Sequence, residues 1–349
     1  MSILKYLDHC RNIYMPKIKI IDVAELAGVS KSTVSQYLNG RFDYMSKKTK
    51  ERVKLAVSEL DYVPNPIARS LKMDKTKTIG VIVRDITGFY TSRTIRGIDD
   101  YCKTSDYNLL IYNTDVDPDI EARSLEALYQ LRVDGIIIAS SGKNTDLIDK
   151  YIERGVPIVH FQLEHDGNEK NIIVSDYRKA AFEATEYLIQ LGHQRICFMT
   201  QNFKNVKSRK ERYLGYVDAL NKYQLPIDEQ LIQYWHRKSG FQQSPISMLD
   251  TANPPTAFFT QHLAITTELL TALNKENISI PDDVSLLGFD DIPMAEFFKV
   301  PITVITQNPY EIGREATKLL LNNINDKETP SQKIMIPCSL SKRLSCKKI

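Results

Sequence analysis

The sequence has no apolar run near the ~18 residues that a membrane-spanning helix needs, so a membrane-embedded reading is excluded. Its first residues carry Asp8, His9 and Arg11 where a secretory signal would need an unbroken apolar stretch, and a cytoplasmic location is expected. Cysteine is sparse. Cys10, Cys102, Cys197, Cys338 and Cys346 are an odd, scattered set without a C-x-x-C pair, which argues against a zinc site or redox centre and for reduced thiols. No G-x-G-x-x-G follows the first strand candidate, and no G-x-x-x-x-G-K-[ST] occurs, so the phosphate-cradling loops of nucleotide-cofactor and NTP-hydrolysing proteins are missing. There is no G-x-S-x-G elbow, and the histidines are dispersed without metal-ligand spacing. No catalytic residue, cofactor or metal is therefore assigned, and the chain is not expected to be an enzyme.

What is present is ordinary in bulk and uneven in detail. Hydrophobic residues at 42% and charged residues at 26% match folded proteins, which removes disordered, collagen-like and coiled-coil readings. A length of 349 residues allows two or three domains. The net charge of +3 hides an asymmetry, because residues 1–75 carry +6 and the remainder −3. A small basic segment on a larger acidic body suits a DNA-reading head, since neutralising phosphates supplies sequence-independent affinity.

Within that segment, IIDVAELAGVSKSTVSQYLNG places Val23, Leu26, Ala27, Val34 and Leu38 at the spacing of two short amphipathic helices. Gly28 supplies the positive φ of a sharp helix-to-helix turn, and Ser30 is placed to cap a second helix over Lys31 to Leu38. With Val34 and Leu38 packed inward, Lys31, Ser32, Ser35 and Gln36 project outward, with Thr33 and Asn39 beside them as further DNA-binding candidates. Gln pairs bidentately with adenine, Lys reaches guanine, and Ser is adaptable or bonds phosphate. A third helix is expected from the cap Ser46 to Leu60, with lysines at its start. Next, YVPNPIARSLK combines a stop at Pro64, a cap at Asn65, a first-turn Pro66 and about two turns of helix. So short a helix is marginal alone and needs a partner to fold. Arg69 and Lys72 suit phosphates or groove floors, and Leu71 would gain burial as a wedge between base steps in a minor groove.

DVAELAGVSKSTVSQYLNG followed by SKKTKERVKLAVSELDYVPNPIARSLK closely resembles the head and hinge of the lactose/galactose repressor (LacI/GalR) family of bacterial transcription regulators, a likeness that extends over residues 17–345. The resemblance implies that the second helix reads the major groove through Lys31, Ser32 and Gln36. It also implies that Ala68, Leu71 and Lys72 serve a hinge helix, with Leu71 entering the operator centre. An Arg is common in the family where Gln36 stands, so the outer operator bases are expected to differ. The partners so implied are double-stranded operator DNA, a small sugar or sugar derivative, and a second copy of the chain. No leucine-heptad tail follows the body, which favours a homodimer over a tail-assembled tetramer. The likeness starts just after Met15, so translation is expected to begin there rather than at Met1.

The body alternates apolar runs with helical stretches: IGVIV, LLIYN, GIIIA and PIVHF, then RICFM, AFFT, VSLLGF, ITVIT and KIMIP. Near-continuous apolar runs mark strands buried on both faces of parallel sheets, and two sets suggest two α/β lobes. The resemblance implies a type I periplasmic-binding-protein fold, with the chain crossing between lobes near residues 162–176, 291–305 and 325–340. The expected organisation is an extension over 1–18, a helix-turn-helix over 19–63, a hinge helix and linker over 64–77, and a two-lobed effector-binding and dimerisation domain over 78–345.

A ligand of such a body sits beyond the carboxyl ends of the strands. There Arg212 in KERYLGY offers a fork of donors, Asp290 in LLGFDD offers acceptors, and Gln307 after ITVIT offers both, which together complement a sugar. In the family the corresponding Arg and first Asp bind effector hydroxyl or carboxyl groups. Phe89 and Tyr90, where the usual N-P-F-F reads T-G-F-Y, suit ring stacking or simple core packing. Asp176 in VSDYRKA is a further candidate. His262 and Leu263 replace the family's common Asn-Asp, and His262 suits either ligand contact or helix capping.

Overall fold

A computed structural model describes residues 18–63, 75–165, 170–204, 206–291, 294–326 and 328–349. The hinge candidates Ala68, Arg69, Leu71 and Lys72, and Met15 with the extension before it, lie outside the described residues. The chain divides into two compact units, residues 1–76 and 77–349.

Among its described residues the first unit has three helices: α1 (Ile20–Ala27), α2 (Lys31–Leu38) and α3 (Lys47–Glu59). Capping explains where they begin. Asp22 reaches back to the Lys19 N–H at 2.6 Å, and the Ser30 and Ser46 hydroxyls accept from the Thr33 and Thr49 amides, each at 3.1 Å. Gly28 ends α1 with φ 59°, and its N–H returns to the carbonyls of Ala24 and Glu25. The Arg52 guanidinium fastens this turn from α3, donating to the Ala27 and Gly28 carbonyls, the latter at 2.7 Å. Val23, Ala24, Ala27, Val34, Val53 and Ala56 form the small core. Leu26, expected on the packed face, is 47% exposed instead, because three short helices cannot enclose a wider stripe.

The second unit has two sheets. The first, in order β12-β5-β4-β3-β1-β2, is wholly parallel and comprises β1 (Thr78–Val83), β2 (Asn108–Asn113), β3 (Gly135–Ile138), β4 (Ile158–Phe161), β5 (Ile172–Ser175) and β12 (Lys333–Ile336). The second, in order β13-β11-β10-β9-β6-β7-β8, comprises β6 (Ile196–Thr200), β7 (Ile232–His236), β8 (Gly240–Phe241), β9 (Ala257–Thr260), β10 (Ser285–Phe289), β11 (Thr303–Thr306) and β13 (Ser339–Ser341). Only its edge strands β8 and β13 pair antiparallel.

Helices cover both faces of each sheet, which is why the central strands read as unbroken apolar runs. In lobe 1, α4 (Phe89–Thr104) and α10 (Pro309–Asn325) pack on one face, burying Ile98, Ile312, Ala316 and Leu320 against Val81, Ile137 and Val159. On the other face, α5 (Pro118–Gln130) and α6 (Thr145–Glu153) bury Leu125, Leu128 and Ile148 against Ile82 and Ile136. In lobe 2, α7 (Tyr177–Gln190) and α8 (Lys207–Lys222) cover one face and α9 (Leu263–Lys275) the other. Two helix pairs touch backbone to backbone. A Cβ on Gly215 of α8 would stand 2.9 Å from the Phe182 amide nitrogen of α7, and one on Gly313 of α10 would stand 2.9 Å from that of Ile98 in α4.

The chain passes between lobes three times, after β5, after β11 and between β12 and β13. The second passage lies at Gln307 and Asn308, later than the expected 291–305, because Thr303–Thr306 is itself a strand of lobe 2. Glu164, just after β4, ties both lobes near these passages. It is bonded to Lys333 at 2.6 Å and Lys207 at 2.9 Å, and its own N–H donates to the Ser208 hydroxyl at 2.7 Å. Burial opposes its charge, but the two lysines outweigh that penalty and hold the carboxyl below its usual range. No described helix is long and apolar enough to cross a membrane.

Candidate nucleic-acid interface and ligand cavity

On the head, α2 presents Lys31, Ser32, Gln36 and Asn39 to solvent, with Thr33 and Ser35 half-buried. Two of these also shape the helix ends. The Thr33 hydroxyl pairs with that of Ser30 at 2.9 Å, and the Asn39 amide donates to the Ser35 carbonyl at 2.8 Å. Lys31, Ser32 and Gln36 carry no such engagement among the described residues and form a polar strip on one flank of the helix. Tyr44 is fully exposed, an aromatic that sequence reading passed over because the loop around it has no periodicity.

The second unit holds a cavity of about 490 Å³ at the carboxyl ends of the strands of both sheets. Lobe 1 contributes Arg84 and Asp85 after β1, Phe89, Tyr90 and Arg93 of α4, Val116 and Gln162. Lobe 2 contributes Arg237 after β7, His262 after β9, and Asp290 and Asp291 after β10. Gln307 and Asn308 line it from the second passage between lobes. The backbone is strained here, with Val116, Gln162 and Asp290 at φ 65°, 72° and 77°, a region that side-chain-bearing residues occupy at a cost of about 1–3 kcal/mol.

Five of the seven expected ligand residues line this cavity: Phe89, Tyr90, His262, Asp290 and Gln307. Three polar groups are already linked into a relay. The Ser175 hydroxyl donates to Gln307 Oε1 at 2.6 Å, and Gln307 Nε2 donates to Asp290 Oδ1. The relay fixes the Gln307 amide and leaves carboxylate lone pairs for ligand hydroxyls. Of the two alternatives for His262, the structure shows the helix cap. Its Nδ1 accepts the Ala264 N–H at 3.1 Å and caps α9, so the neutral ring carries its proton on Nε2 while still lining the cavity. Burial and the arginines around it depress its pKa to about 4, against the pull of Asp290. The Tyr90 hydroxyl is buried without a partner among the described residues.

Asp176 and Arg212 do not line the cavity wall. Asp176 caps α7 through the Lys179 amide at 3.3 Å, at the first passage between lobes. Arg212 lies behind the wall, 7% exposed, with its guanidinium 4.0 Å from the Tyr177 ring centroid and 4.4 Å from that of Phe289. Its Nε has no partner among the described residues. Among the described residues no cluster of three His, Cys, Asp or Glu side chains could hold a metal, and the four described cysteines are free thiols.

Residues 19–65 match the family model described as "Bacterial regulatory proteins, lacI family", and residues 76–344 match "Periplasmic binding proteins and sugar binding domain of LacI family". The chain belongs to the LacI family. It is thus a DNA-binding transcriptional regulator with a helix-turn-helix head and a periplasmic-binding-protein-like body. Among relatives of this LacI-family chain, the probable HTH-type transcriptional regulator EndR of Paenibacillus polymyxa is 34% identical, over 90% of this chain and 92% of its own. The HTH-type transcriptional repressor PurR of Vibrio parahaemolyticus is 33% identical, over 88% of this chain and 92% of its own. A LacI family transcriptional regulator from Enterococcus faecium, solved with bound ribose, superposes with a TM-score of 0.67 at 29% identity, covering 78% of this chain and 99% of that one.

Against that family background, this LacI-family regulator carries cavity residues that sequence reading did not single out: Arg84, Arg93 and Arg237 on the wall, and Arg209 close behind it. Arg84 directly follows the IGVIV run and Arg237 follows YWH, so strand-end position was the available signal. Arg84 is half-buried, its Nε has no partner among the described residues, and burial followed by the charge of Arg237 lowers its pKa. Arg209 is pulled down to about 10 by burial and by Arg84, Arg212 and Arg237.

Proposed function

We propose that this LacI-family chain is an operator-binding repressor whose affinity for DNA is set by a small polyhydroxylated molecule, a sugar or sugar derivative, held between the lobes. The observation that carries this reading is the cavity itself. Its polar wall joins two lobes through the Ser175, Gln307 and Asp290 relay, with Phe89 and Tyr90 supplying aromatic faces. The ribose-bound relative supports the ligand class.

In this reading α2 enters a major groove, with Lys31, Ser32 and Gln36 at base edges and Thr33, Ser35 and Asn39 setting its pose. Ala68, Arg69, Leu71 and Lys72 serve the operator centre. Two copies of the chain place two heads on a palindrome, as helix-turn-helix dimers do. The ligand acts by population shift. It prefers one arrangement of the lobes, and only its differential affinity for the two arrangements can change operator binding.

The test uses the full chain and an operator selected from a random duplex library. Fluorescence anisotropy is titrated with a panel of sugars and sugar derivatives. A cavity-binding member is expected to change operator affinity, and Asp290→Ala to abolish that response. Ligands that bind with no effect on the operator would refute the switch, and an unchanged response in Asp290→Ala would refute the site.

A further inference from the structure

Resting on the reading of this cavity as an effector site, we propose that its ligand is an anionic sugar, bearing a phosphate ester or carboxylate that is clamped between Arg84 of lobe 1 and Arg237 of lobe 2. Both side chains line the cavity, from the ends of β1 and β7. Arg209, which donates to the Asn202 carbonyl at 2.9 Å, and Arg212, stacked on Tyr177 and Phe289, lie behind the wall, close enough that the charges of Arg84, Arg212 and Arg237 lower the Arg209 pKa. None of the four forms an ion pair with a described carboxylate.

Of the nearby acids, Asp290 keeps lone pairs open toward ligand hydroxyls, whereas Glu121, Asp85 and Asp291 are held by other donors. Glu121, which faces Arg84, accepts from the Ser141 amide at 2.6 Å, the Ser141 hydroxyl at 3.0 Å and Asn144 at 3.0 Å. Asp85 is held by the Thr87 amide at 3.0 Å and hydroxyl at 2.6 Å, and Asp291 by Arg343 at 2.8 Å.

A neutral sugar gives this arrangement nothing to neutralise. Arg84 and Arg209 are half-buried and Arg212 is buried, so their mutual repulsion is poorly screened, and the buried Arg84 Nε has no acceptor among the described residues. An oxyanion answers both. The planar fork of Arg matches carboxylate and phosphate oxygens bidentately, which a single sugar hydroxyl cannot reproduce. The division of labour is then spatial: Asp290 and Gln307 take hydroxyls, and Arg84 with Arg237 takes the charge. Because those two arginines belong to different lobes, the anion also bridges the lobes.

Calorimetry on the full chain tests this with ribose, ribose 5-phosphate, glucose, glucose 6-phosphate, gluconate and inorganic phosphate as probes. A charged sugar is expected to bind about tenfold or more tighter than its neutral parent, and Arg84→Gln or Arg237→Gln to weaken it about ten- to hundredfold, the range for a lost charge-assisted bond. Phosphate esters outranking gluconate would identify the oxyanion as phosphate, and the reverse order as carboxylate. Arg237 is exposed, so Arg237→Gln remains informative if Arg84→Gln misfolds. Neutral sugars binding as tightly as charged ones, in a manner indifferent to both substitutions, would overturn the anion and leave the sugar reading standing. Inorganic phosphate binding through Arg84 and Arg237 with no sugar of either kind bound would support the clamp and overturn the sugar reading. Absence of any anion binding that depends on these arginines overturns the proposal.

Discussion

Substituting Gly215 by Ala sets two opposed effects of known size against each other. Helix propensity favours Ala by about 1 kcal/mol in a helix interior. Packing opposes it, since the new methyl group would lie 2.9 Å from the Phe182 amide nitrogen and 3.0 Å from the Ala181 Cβ, and closer still to the Arg178 carbonyl oxygen. Two of these three neighbours are backbone of α7, which cannot rotate away as a side-chain tip would. Restoring ordinary contact requires α7 and α8 to part by about 1 Å, and overpacking of this kind costs up to about 3 kcal/mol. Packing therefore wins by about 2 kcal/mol, which for a body of roughly 270 residues lowers the melting temperature by about 3–4 °C. The same displacement carries Arg212 away from the Tyr177 and Phe289 rings. Trp235, the single tryptophan, is buried in lobe 2 with its indole N–H on Glu268, so its fluorescence follows this lobe during thermal unfolding. A melting temperature equal to or above that of the wild type would show that the helices yield freely, and would refute the close-approach argument.

Arg52→Met removes the clasp on the turn between α1 and α2. At so exposed a side chain the two lost bonds amount to about 1 kcal/mol, which multiplies the unfolded fraction of the head about fivefold. Operator binding should weaken and amide exchange from Ala27 to Ser30 should quicken, so unchanged exchange there would sink the idea. Acid should also destabilise the body through His160 and His262. Each protonates near pH 6.5 when unfolded but only at about 4 when folded, chiefly because of burial. Between those values the unfolded chain binds protons that the fold refuses, so stability is intact above pH 6.5 and declines toward pH 4. Melting temperatures of wild type and His262→Gln across that window check this, with the variant expected to show the shallower decline.

Much of this architecture was legible because its signals are local. Ser30 and Ser46 announce helix starts, Gly28 announces a turn, and two-faced burial writes β1, β3 and β9 as apolar runs. Strands with a wet flank were harder to see. In β7, Gln233 and Tyr234 interrupt the pattern, so that strand went unread. Leu26 was misplaced because periodicity reports a stripe and not how much partner surface exists to cover it. The candidate site divides along the same line. Asp290 and Gln307 follow recognisable strands, whereas Arg84, Arg209 and Arg237 are scattered singly along the sequence and acquire meaning only when two strand-end loops and the start of α8 come together. Arg212 shows the converse, a motif residue that folding places behind the wall.

The neighbour order of the first sheet has a consequence for biosynthesis. Its edge strand β12 (Lys333–Ile336) leaves the ribosome almost last, yet it pairs with β5, made some 160 residues earlier. Helix α10, which covers Val81, Ile137 and Val159, is also a late arrival. Through most of synthesis the nascent body therefore carries an unpaired β5 edge and an uncovered apolar face, the features that invite aggregation and recruit chaperones. The first lobe to be translated is thus among the last parts of the molecule to be completed, and a messenger cut short before Lys333 yields a chain with that edge permanently open.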